Sequence, residues 1–390
     1  MTKAPRAPGR THILRQPLLL TAVLPLCMSV TGCAGPPKGV LTPVEVSVPR
    51  TSRVNLLVAT TRAPSPDRAV LFSGERGEAL QSTELTISIP PPDNRQVGQV
   101  QWPKQLPPNP ATDFATTSVR DLSSLGEIRG WVKQHLPRSR RVLIFVHGFN
   151  NRYEDAVYRF AQIVHDSRAD VAPILFTWPS RGNVLDYAYD RESTNYSRTQ
   201  LEEVLRRAAQ DPLVGDITIM AHSMGSWLVV EALRQMAIRD GRVAPTIRNV
   251  ILASPDIDVQ VFRKQWLEQG PHRPQLTLFV SQDDKALDMS RLIGGDVDRL
   301  GQINPAAEPY RSELEKAGVT VLDLTALKGG DPLNHGKFAE RPEVVRLLGE
   351  RLMAGQAIAS SKTGIGNQLG TVATEAALKV EGAASLIRFR

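Results

Sequence analysis

The chain has 390 residues, of which 41% are hydrophobic and 22% are charged. This length and composition fit one large globular domain with extensions, or two small domains. The formal net charge is +7. Because four of the positive charges precede Pro17, removal of that segment would leave only +3, which does not indicate a nucleic-acid partner. The four are Lys3, Arg6, Arg10 and Arg15.

The N-terminus has the pattern of an export signal. A cationic stretch to Arg15 precedes the apolar run at 18–26, which is too short for a membrane span and has the flanks of a secretory signal. The next residues, Val-Thr-Gly-Cys at 30–33, resemble the bacterial lipobox. The resemblance implies a signal peptide over residues 1–32 and a diacylglyceryl group on Cys33. The alternative is an ordinary cleaved signal peptide with an incidental cysteine.

The cysteines and the flanking segments complete this interpretation. Only Cys27 and Cys33 are present, so loss of the signal and lipidation of Cys33 leave no disulfide despite export. The residue after Cys33 is Ala34 and not aspartate, which in a Gram-negative lipoprotein would favour the periplasmic face of the outer membrane as the location of the protein. Residues 33–50 are rich in Pro, Gly and Val and are predicted to be a tether. Residues 355–390 are predicted to be a mobile C-terminal tail.

The folded domain is predicted over residues 51–354. Strand-like runs at 54–60 and 84–89 come first, and three prolines from Pro90 end the second run. Proline and glycine up to Pro110 indicate irregular structure before the main body.

From Arg141 onward, strands and helices alternate regularly. This succession predicts an α/β fold with a mainly parallel sheet and helices on both faces. The predicted strands lie at 142–146, 173–178, 217–220, 247–253, 276–280 and 319–324, and the predicted helices lie at 155–165, 201–208, 226–238 and 342–353.

A serine occupies the turn between the strand at 217–220 and the following helix. The sequence at 221–225 is Ala-His-Ser-Met-Gly, which places Ser223 between small residues in a strand–turn–helix context. This arrangement is typical of a nucleophile elbow, in which small neighbours allow the backbone to turn sharply. The usual motif is Gly-x-Ser-x-Gly, so Ala221 departs from it at the first position.

Two further turns join this elbow in resembling a known superfamily. They are His-Gly-Phe-Asn at 147–150 and Trp-Pro-Ser-Arg-Gly at 178–182. Together the three motifs resemble the α/β-hydrolase superfamily, and within it a largely uncharacterised bacterial esterase/lipase-like branch. The resemblance covers about residues 52–353. It implies the α/β-hydrolase fold and a chain order of serine, acid and histidine.

Acyl transfer at a serine needs a base, which is normally histidine. Of seven histidines, His335 is the one that follows the last predicted strand, in the loop Leu-Asn-His-Gly-Lys-Phe at 333–338. We predict that this loop folds over the elbow and that His335 is the catalytic base. His222 flanks the serine, and its side chain is expected to diverge from the Ser223 hydroxyl.

The acid should follow a late strand, and the strand at 276–280 is followed by two adjacent aspartates, Asp283 and Asp284. The residues alone leave this choice open. The resemblance selects Asp284, because related sequences place the acid three residues before an apolar position. Asp283 is then expected to cap or orient the loop. Asp256 is the fallback candidate.

The oxyanion of the tetrahedral intermediate needs two N–H donors. One is predicted to be the amide of Met224, directly after the nucleophile at the start of the elbow helix. The other is predicted to be the amide of Phe149. Gly148 could instead be needed only for the backbone freedom of a strand-to-helix turn. The two interpretations are compatible, since the turn itself would aim the Phe149 amide.

The polar connector at 181–198 contains three tyrosines and could form a cap or pocket rim, or only a surface loop. The sequence contains no His-Glu-x-x-His motif, no paired cysteines and no glycine-rich nucleotide loop. We therefore expect no metal and no cofactor.

The sequence thus predicts a lipid-anchored serine hydrolase in the bacterial envelope that cleaves small-molecule or lipid carboxylic esters. An acyltransferase or an amidase could use the same residues. A non-catalytic binding scaffold in the envelope is the alternative from another class.

Overall fold

A sheet of nine strands runs through the described part of the chain. The computed structural model describes Met1, residues 37–328 and residues 330–354, the last four by backbone alone. The described residues from 37 to 354 belong to one compact unit. The predicted signal peptide beyond Met1, the lipidation site Cys33 and the predicted tail lie outside the described residues.

The described elements alternate in the order that the sequence predicts, with an additional strand and helix before residue 141 and additional short helices in the second half. The strands are β1 (Ser52–Pro64), β2 (Phe72–Ile89), β3 (Ala115–Asp121), β4 (Arg141–Val146), β5 (Ala172–Thr177), β6 (Asp216–His222), β7 (Ile247–Ala253), β8 (Gln275–Val280) and β9 (Thr320–Asp323). The helices are α1 (Leu125–His135), α2 (Tyr153–Ser167), α3 (Tyr187–Gln210), α4 (Met224–Asp240), α5 (Val259–Glu268), α6 (Lys285–Ile293), α7 (Tyr310–Ala317), α8 (Lys337–Glu340) and α9 (Pro342–Ala354).

The strand order is β3-β2-β1-β5-β4-β6-β7-β8-β9. The β1–β2 and β2–β3 pairs are antiparallel, and each of the other pairs is parallel. Residues 142–146 of β4 are all buried, because helices cover both faces of the sheet. The α/β fold class predicted from the sequence, with its mostly parallel sheet, is confirmed.

Two apolar cores lie on opposite faces of this sheet. One contains buried side chains of α1, α3, α4 and α5, among them Trp131 and Leu228. The other contains buried side chains of α2, α8 and α9, among them Phe160 and Phe338. This three-layer arrangement leaves the carboxyl ends of the parallel strands open at one edge of the sheet, where ligand sites of such folds form.

The packed part of the chain begins before residue 51. The prediction of a tether over residues 33–50 is therefore wrong for its second half. Val40 and Leu41 are completely buried. The Tyr158 hydroxyl donates to the carbonyl of Val40 at 2.8 Å, and the Val44 amide donates to the carbonyl of Thr116 at 2.9 Å. The reason is hydrophobic: these two aliphatic side chains complete the core beneath β1–β3.

The polar connector at 181–198 is not a loop over most of its length. A 3-10 turn at Val184–Asp186 leads directly into α3, which begins at Tyr187 and not near Leu201. The polar side chains that suggested a loop are buried and bonded: Ser193 Oγ donates to the carbonyl of Tyr189 at 2.9 Å, and Ser197 Oγ lies 2.8 Å from Thr61 Oγ1. Hydrogen bonding of this kind offsets the desolvation of hydroxyl groups inside a helix interface.

The N-terminal hairpin is also more extensive than predicted. β2 begins at Phe72, well before Glu84, and its first half carries exposed charged residues that conceal the strand pattern. β3 lies in a region that the sequence left unassigned. No helix among the described residues is long and apolar enough to cross a membrane.

We predict that Gly349→Ala destabilises the protein by separating α9 from α2. A Cβ at this position would lie 1.7 Å from the carbonyl oxygen of Ser167, far inside van der Waals contact. Overpacking of this kind costs about 1–3 kcal/mol, which thermal unfolding followed by circular dichroism would show as a lower Tm.

The matched control is Gly130→Ala in α1, where a new Cβ would meet nothing within 4 Å. This variant should gain about 0.5–1 kcal/mol from helix propensity. A Tm for Gly349→Ala at or above that of Gly130→Ala would contradict the packing of α9 on α2.

Candidate active site

Ser223 lies at a sharp turn between β6 and α4, with φ of 51° and ψ of −125°. A non-glycine residue rarely adopts this conformation, which must be held by its surroundings. The Ser223 amide donates to the carbonyl of Ala253 at 2.9 Å, and the Ser223 carbonyl accepts from the amide of Asp256 at 3.2 Å. The elbow predicted from the sequence is therefore a strained turn, and hydrogen bonds to both the amide and the carbonyl of Ser223 hold it in place.

The turn after β4 approaches this elbow closely. A Cβ on Gly148 would lie 2.8 Å from the Ser223 Cβ and 3.0 Å from the His222 Nδ1. Only glycine permits this approach, because any side chain would displace Ser223. The glycine thus allows the turn after β4 to lie close to Ser223.

His335 and Asp284 form a direct hydrogen bond. The distance from His335 Nδ1 to Asp284 Oδ2 is 2.7 Å, and Asp284 is completely buried. The other carboxylate oxygen, Oδ1, accepts from the amides of Ala286 and Leu287 at 3.1 Å each. Asp284 therefore caps α6 with one oxygen and holds the imidazole with the other, at a helix end whose dipole favours a negative charge.

The bond at Nδ1 leaves Nε2 of His335 without a hydrogen-bond partner among the residues that the structure describes. Burial is the largest single effect on the pKa of His335 and lowers it, but the Asp284 carboxylate, together with the charges of Asp256 and Asp331, raises it, so the net pKa is above the usual 6.5. The imidazole is therefore oriented, and its basicity is increased at a free nitrogen.

His222 has a defined place beside this group. Its ring lies 4.6 Å from the His335 ring and 4.6 Å from the Phe338 ring, between centroids. Its Nε2–H donates to the His335 carbonyl at 3.3 Å. Burial and the neighbouring His335 lower the pKa of His222 well below the usual value, so this ring stays neutral. His222 thus packs against the histidine loop and supports it.

Asp283 orients the loop, as expected, while the helix cap belongs to Asp284. Lys337 Nζ lies 2.7 and 3.0 Å from the two oxygens of Asp283. Lys337 is only 1% exposed, and its ammonium also donates to Ser281 Oγ and to the Leu324 carbonyl. A buried ammonium with these partners connects the loop of His335 to the ends of β8 and β9. No sequence pattern marked Lys337 for this role.

Asp256, the fallback acid, belongs to a separate polar group. Its carboxylate accepts from Ser290 Oγ at 2.5 Å and from the Tyr187 hydroxyl at 3.0 Å, and Arg299 Nε lies 3.5 Å away. Burial, together with the Asp256 charge, raises the pKa of Tyr187 to about 12. Asp256 makes no hydrogen bond to His335, so the geometry favours Asp284.

The three tyrosines at 181–198, predicted to form either a pocket rim or a surface loop, have different surroundings. The Tyr187 ring contacts the Phe149 ring edge-on at 5.2 Å, at the rim of the site. The rings of Tyr189 and Tyr196 lie instead against the Arg76 guanidinium of β2, at 4.7 and 5.7 Å. One tyrosine is therefore a site residue, and two attach α3 to the N-terminal hairpin.

One predicted oxyanion donor, Met224, is part of the elbow, and the other, Phe149, lies in the turn after β4 that approaches it. The amide of Met224 is one of the first amides of α4, which have no partner within the helix. The amide of Phe149, in the glycine turn, makes no backbone or side-chain hydrogen bond to any described residue. Both N–H groups are free to bind an anion. No group of three or more His, Cys, Asp or Glu side chains in the described ranges could hold a metal ion.

The sheet, the elbow and the order of the candidate residues define an α/β hydrolase. Residues 125–351 match the family model described as alpha/beta hydrolase of unknown function (DUF900), and the chain belongs to that family. Membership supports a hydrolytic activity. A search among curated proteins gave no match.

Solved structures of several hydrolases are similar to this chain at low identity. One is a predicted CIB-like hydrolase from Thermoplasma acidophilum, with 15% identity, coverage of 56% of this chain and 88% of that one, and a TM-score of 0.34. Another is an esterase from Pyrobaculum calidifontis, with 11% identity, coverage of 79% and 86%, and a TM-score of 0.33. A lipase-esterase related protein from Clostridium acetobutylicum has 12% identity, coverage of 55% and 95%, and a TM-score of 0.31.

We predict that His335 titrates above pH 6.5 and that Asp284→Asn lowers its pKa. The substitution removes the carboxylate that favours the protonated ring, while the burial that disfavours it remains. Asparagine can still cap α6, so the fold should survive. Imidazole resonances followed by NMR across a pH series would give the pKa.

Asp283→Asn is the matched control, since Asp283 bonds to Lys337 and not to the imidazole. It should change the His335 pKa less than Asp284→Asn does. The opposite order would show that Asp283 is the partner of His335.

Proposed function

We propose that the protein is a serine hydrolase that cleaves carboxylic esters through an acyl-enzyme intermediate. The observation that carries the proposal is the hydrogen bond between buried Asp284 and Nδ1 of His335, whose ring lies 4.6 Å from the ring of His222 in the elbow of Ser223. A buried carboxylate on one imidazole nitrogen is the arrangement that prepares the other nitrogen as a base.

In the proposed reaction, Nε2 of His335 accepts the hydroxyl proton as Ser223 Oγ attacks the acyl carbonyl. The Asp284 carboxylate keeps the proton on Nδ1 and stabilises the imidazolium that forms. The imidazolium then protonates the leaving alcohol. Water then attacks the acyl carbonyl while Nε2 of His335 accepts its proton. The imidazolium returns this proton to Ser223 Oγ as the acyl–oxygen bond breaks, which releases the acid and restores the neutral ring.

The free amides of Phe149 and Met224 are the proposed donors to the oxyanion. They are part of the backbone, so they require little rearrangement when the negative charge develops. A binding scaffold without catalysis would gain nothing from an oriented imidazole and two unpaired amides. These groups favour an enzyme over the scaffold alternative, and an acyltransferase or amidase would use them in the same way.

We expect a fluorophosphonate probe to form a covalent adduct on Ser223, which peptide mass spectrometry would locate. Ser223→Ala should abolish the adduct and reduce p-nitrophenyl ester hydrolysis by about 10³-fold or more, because the nucleophile is gone. Asp284→Asn should also reduce turnover strongly, since the imidazole can adopt the wrong tautomer.

Ser226→Ala is the matched control on the same helix. Ser226 is buried and its hydroxyl donates to the Ala221 carbonyl at 3.3 Å, so its loss should leave labelling and turnover near wild type. A folded protein that forms no adduct at Ser223 would refute the hydrolase. Inactive Asp283→Asn beside active Asp284→Asn would refute the assignment of the acid.

We also propose that the mature protein is anchored in the bacterial envelope by lipid on Cys33. Support comes from the basic start, the short apolar run and the Val-Thr-Gly-Cys sequence at 30–33. Two acyl signals on one residue would be sufficient for stable membrane binding.

This proposal predicts a mature chain that begins with diacylglyceryl-modified Cys33, and mass spectrometry of the purified N-terminal peptide would show it. Cys33→Ser should release the protein from the membrane fraction, whereas Cys27→Ser, within the predicted signal, should have no effect on the mature mass. An unmodified Cys33, or a mature chain that starts elsewhere, would refute the anchor.

A further inference from the structure

Arg62 is a completely buried arginine near the site, and it comes from β1, outside the residues that match the family model. Burial lowers its pKa to about 10, against the opposing effect of Asp190, so it keeps its charge at neutral pH. A buried charge is costly unless its hydrogen bonds are satisfied. Its position therefore requires a reason.

The Arg62 donors reach the two turns that flank the candidate site. Nε donates to Thr177 Oγ1 at 2.8 Å, and Nη1 donates to the Ser180 carbonyl at 2.7 Å. Nη2 donates to the Asn151 carbonyl at 2.7 Å and lies 3.4 Å from His147 Nε2. One planar guanidinium thus connects the turn after β5 to the turn after β4, which carries Phe149.

The hydrogen bonds of His147 fix its tautomer. The amide of Trp178 donates to Nε2 at 3.1 Å, so Nε2 is an acceptor and the proton lies on Nδ1. Burial and the Arg62 charge lower the pKa of His147 to about 3, which keeps the ring neutral. Nδ1–H then donates to the Gly148 carbonyl at 2.8 Å.

The Gly148 carbonyl shares a peptide unit with the amide of Phe149. Asn151 Nδ2 also donates to this carbonyl, at 3.3 Å, and to the Phe149 carbonyl at 2.8 Å. The peptide bond is trans, because the cis bonds of the described chain lie elsewhere. In a planar trans unit, donors that hold the C=O direction also hold the N–H in the opposite direction.

We propose that Arg62, acting through His147 and Asn151, is a positioning residue that aims the Phe149 amide at the oxyanion. The N-terminal hairpin of β1 and β2 is then a part of the active-site framework and not an appendage to the family domain. This inference rests on the proposed serine hydrolase, since it concerns a donor that acts only when an oxyanion forms.

The test compares ester turnover with the affinity for an alkyl trifluoromethyl ketone. Ser223 adds to the ketone carbonyl, its proton passes to His335, and the resulting hemiketal oxyanion needs the same amides as the transition state. We expect Arg62→Met and Asn151→Ala to lower kcat by about 10-fold to 10²-fold, within the effect of losing one oxyanion donor. The inhibition constant should rise by a similar factor, while KM changes less than twofold.

The matched control is Arg95→Met. Arg95 is an arginine whose side chain is also buried, at 4% exposure, and it pairs with Asp166 at 2.6 Å, but none of its contacts lies in the turn at 147–151. Its loss should lower Tm and leave kcat and the inhibition constant near wild type. A general effect of removing a buried arginine would instead affect both variants in the same way.

Asn151→Ala keeps the test decisive if Arg62→Met does not fold, because Asn151 is only partly buried and the guanidinium bond goes to its backbone carbonyl. Wild-type kcat and ketone affinity in Asn151→Ala, or a loss in Arg95→Met equal to that in Arg62→Met, would overturn the inference. A wild-type protein without a Ser223 adduct and without ester turnover would instead overturn the proposed function itself.

Discussion

The contact on which the candidate site depends is the buried carboxylate of Asp284. It satisfies two amides at the start of α6 and the Nδ1 of His335 at the same time. Since a buried charge is stable only with such partners, the helix cap and the imidazole hold the carboxylate as much as it holds them. Asp284 and His335 are therefore fixed to the end of a strand and a helix, which gives the imidazole a defined direction.

The neighbouring aspartate shows how one step along the chain changes a role. Asp283 turns towards Lys337, Ser281 and Asn334, and so it ties the histidine loop to the strand ends. Asp284 turns inward to the imidazole. Two chemically identical side chains thus have different partners: Asp283 bonds to the loop of His335, and Asp284 bonds to its imidazole ring. The difference arises from the direction of the backbone at the start of α6.

The buried polar groups around the elbow are likewise stable because hydrogen bonds satisfy them. Arg62 satisfies carbonyls of two turns, His147 bridges an amide to a carbonyl, and His222 supports the loop of His335. Local pattern does not mark these residues, because each acts through partners that are distant in sequence. The same reason explains why the sequence predicts α3 only from Leu201. The serines and Asp190 in its first half have the polarity of a surface loop, but they are buried in the fold.

Local chemistry in the sequence was sufficient for the strand alternation, the elbow at Ser223, the glycine turn before Phe149 and the segments that supply an acid and a histidine. Periodicity and turn preferences act over a few residues, so these features can be recognised without the fold. Only the tertiary structure showed that Asp284 bonds to the imidazole and Asp283 to Lys337, brought Lys337 and Arg62 to the site and packed Val40 and Leu41 into the core. Those outcomes depend on which groups meet across the sheet, where burial makes each unsatisfied charge or amide costly.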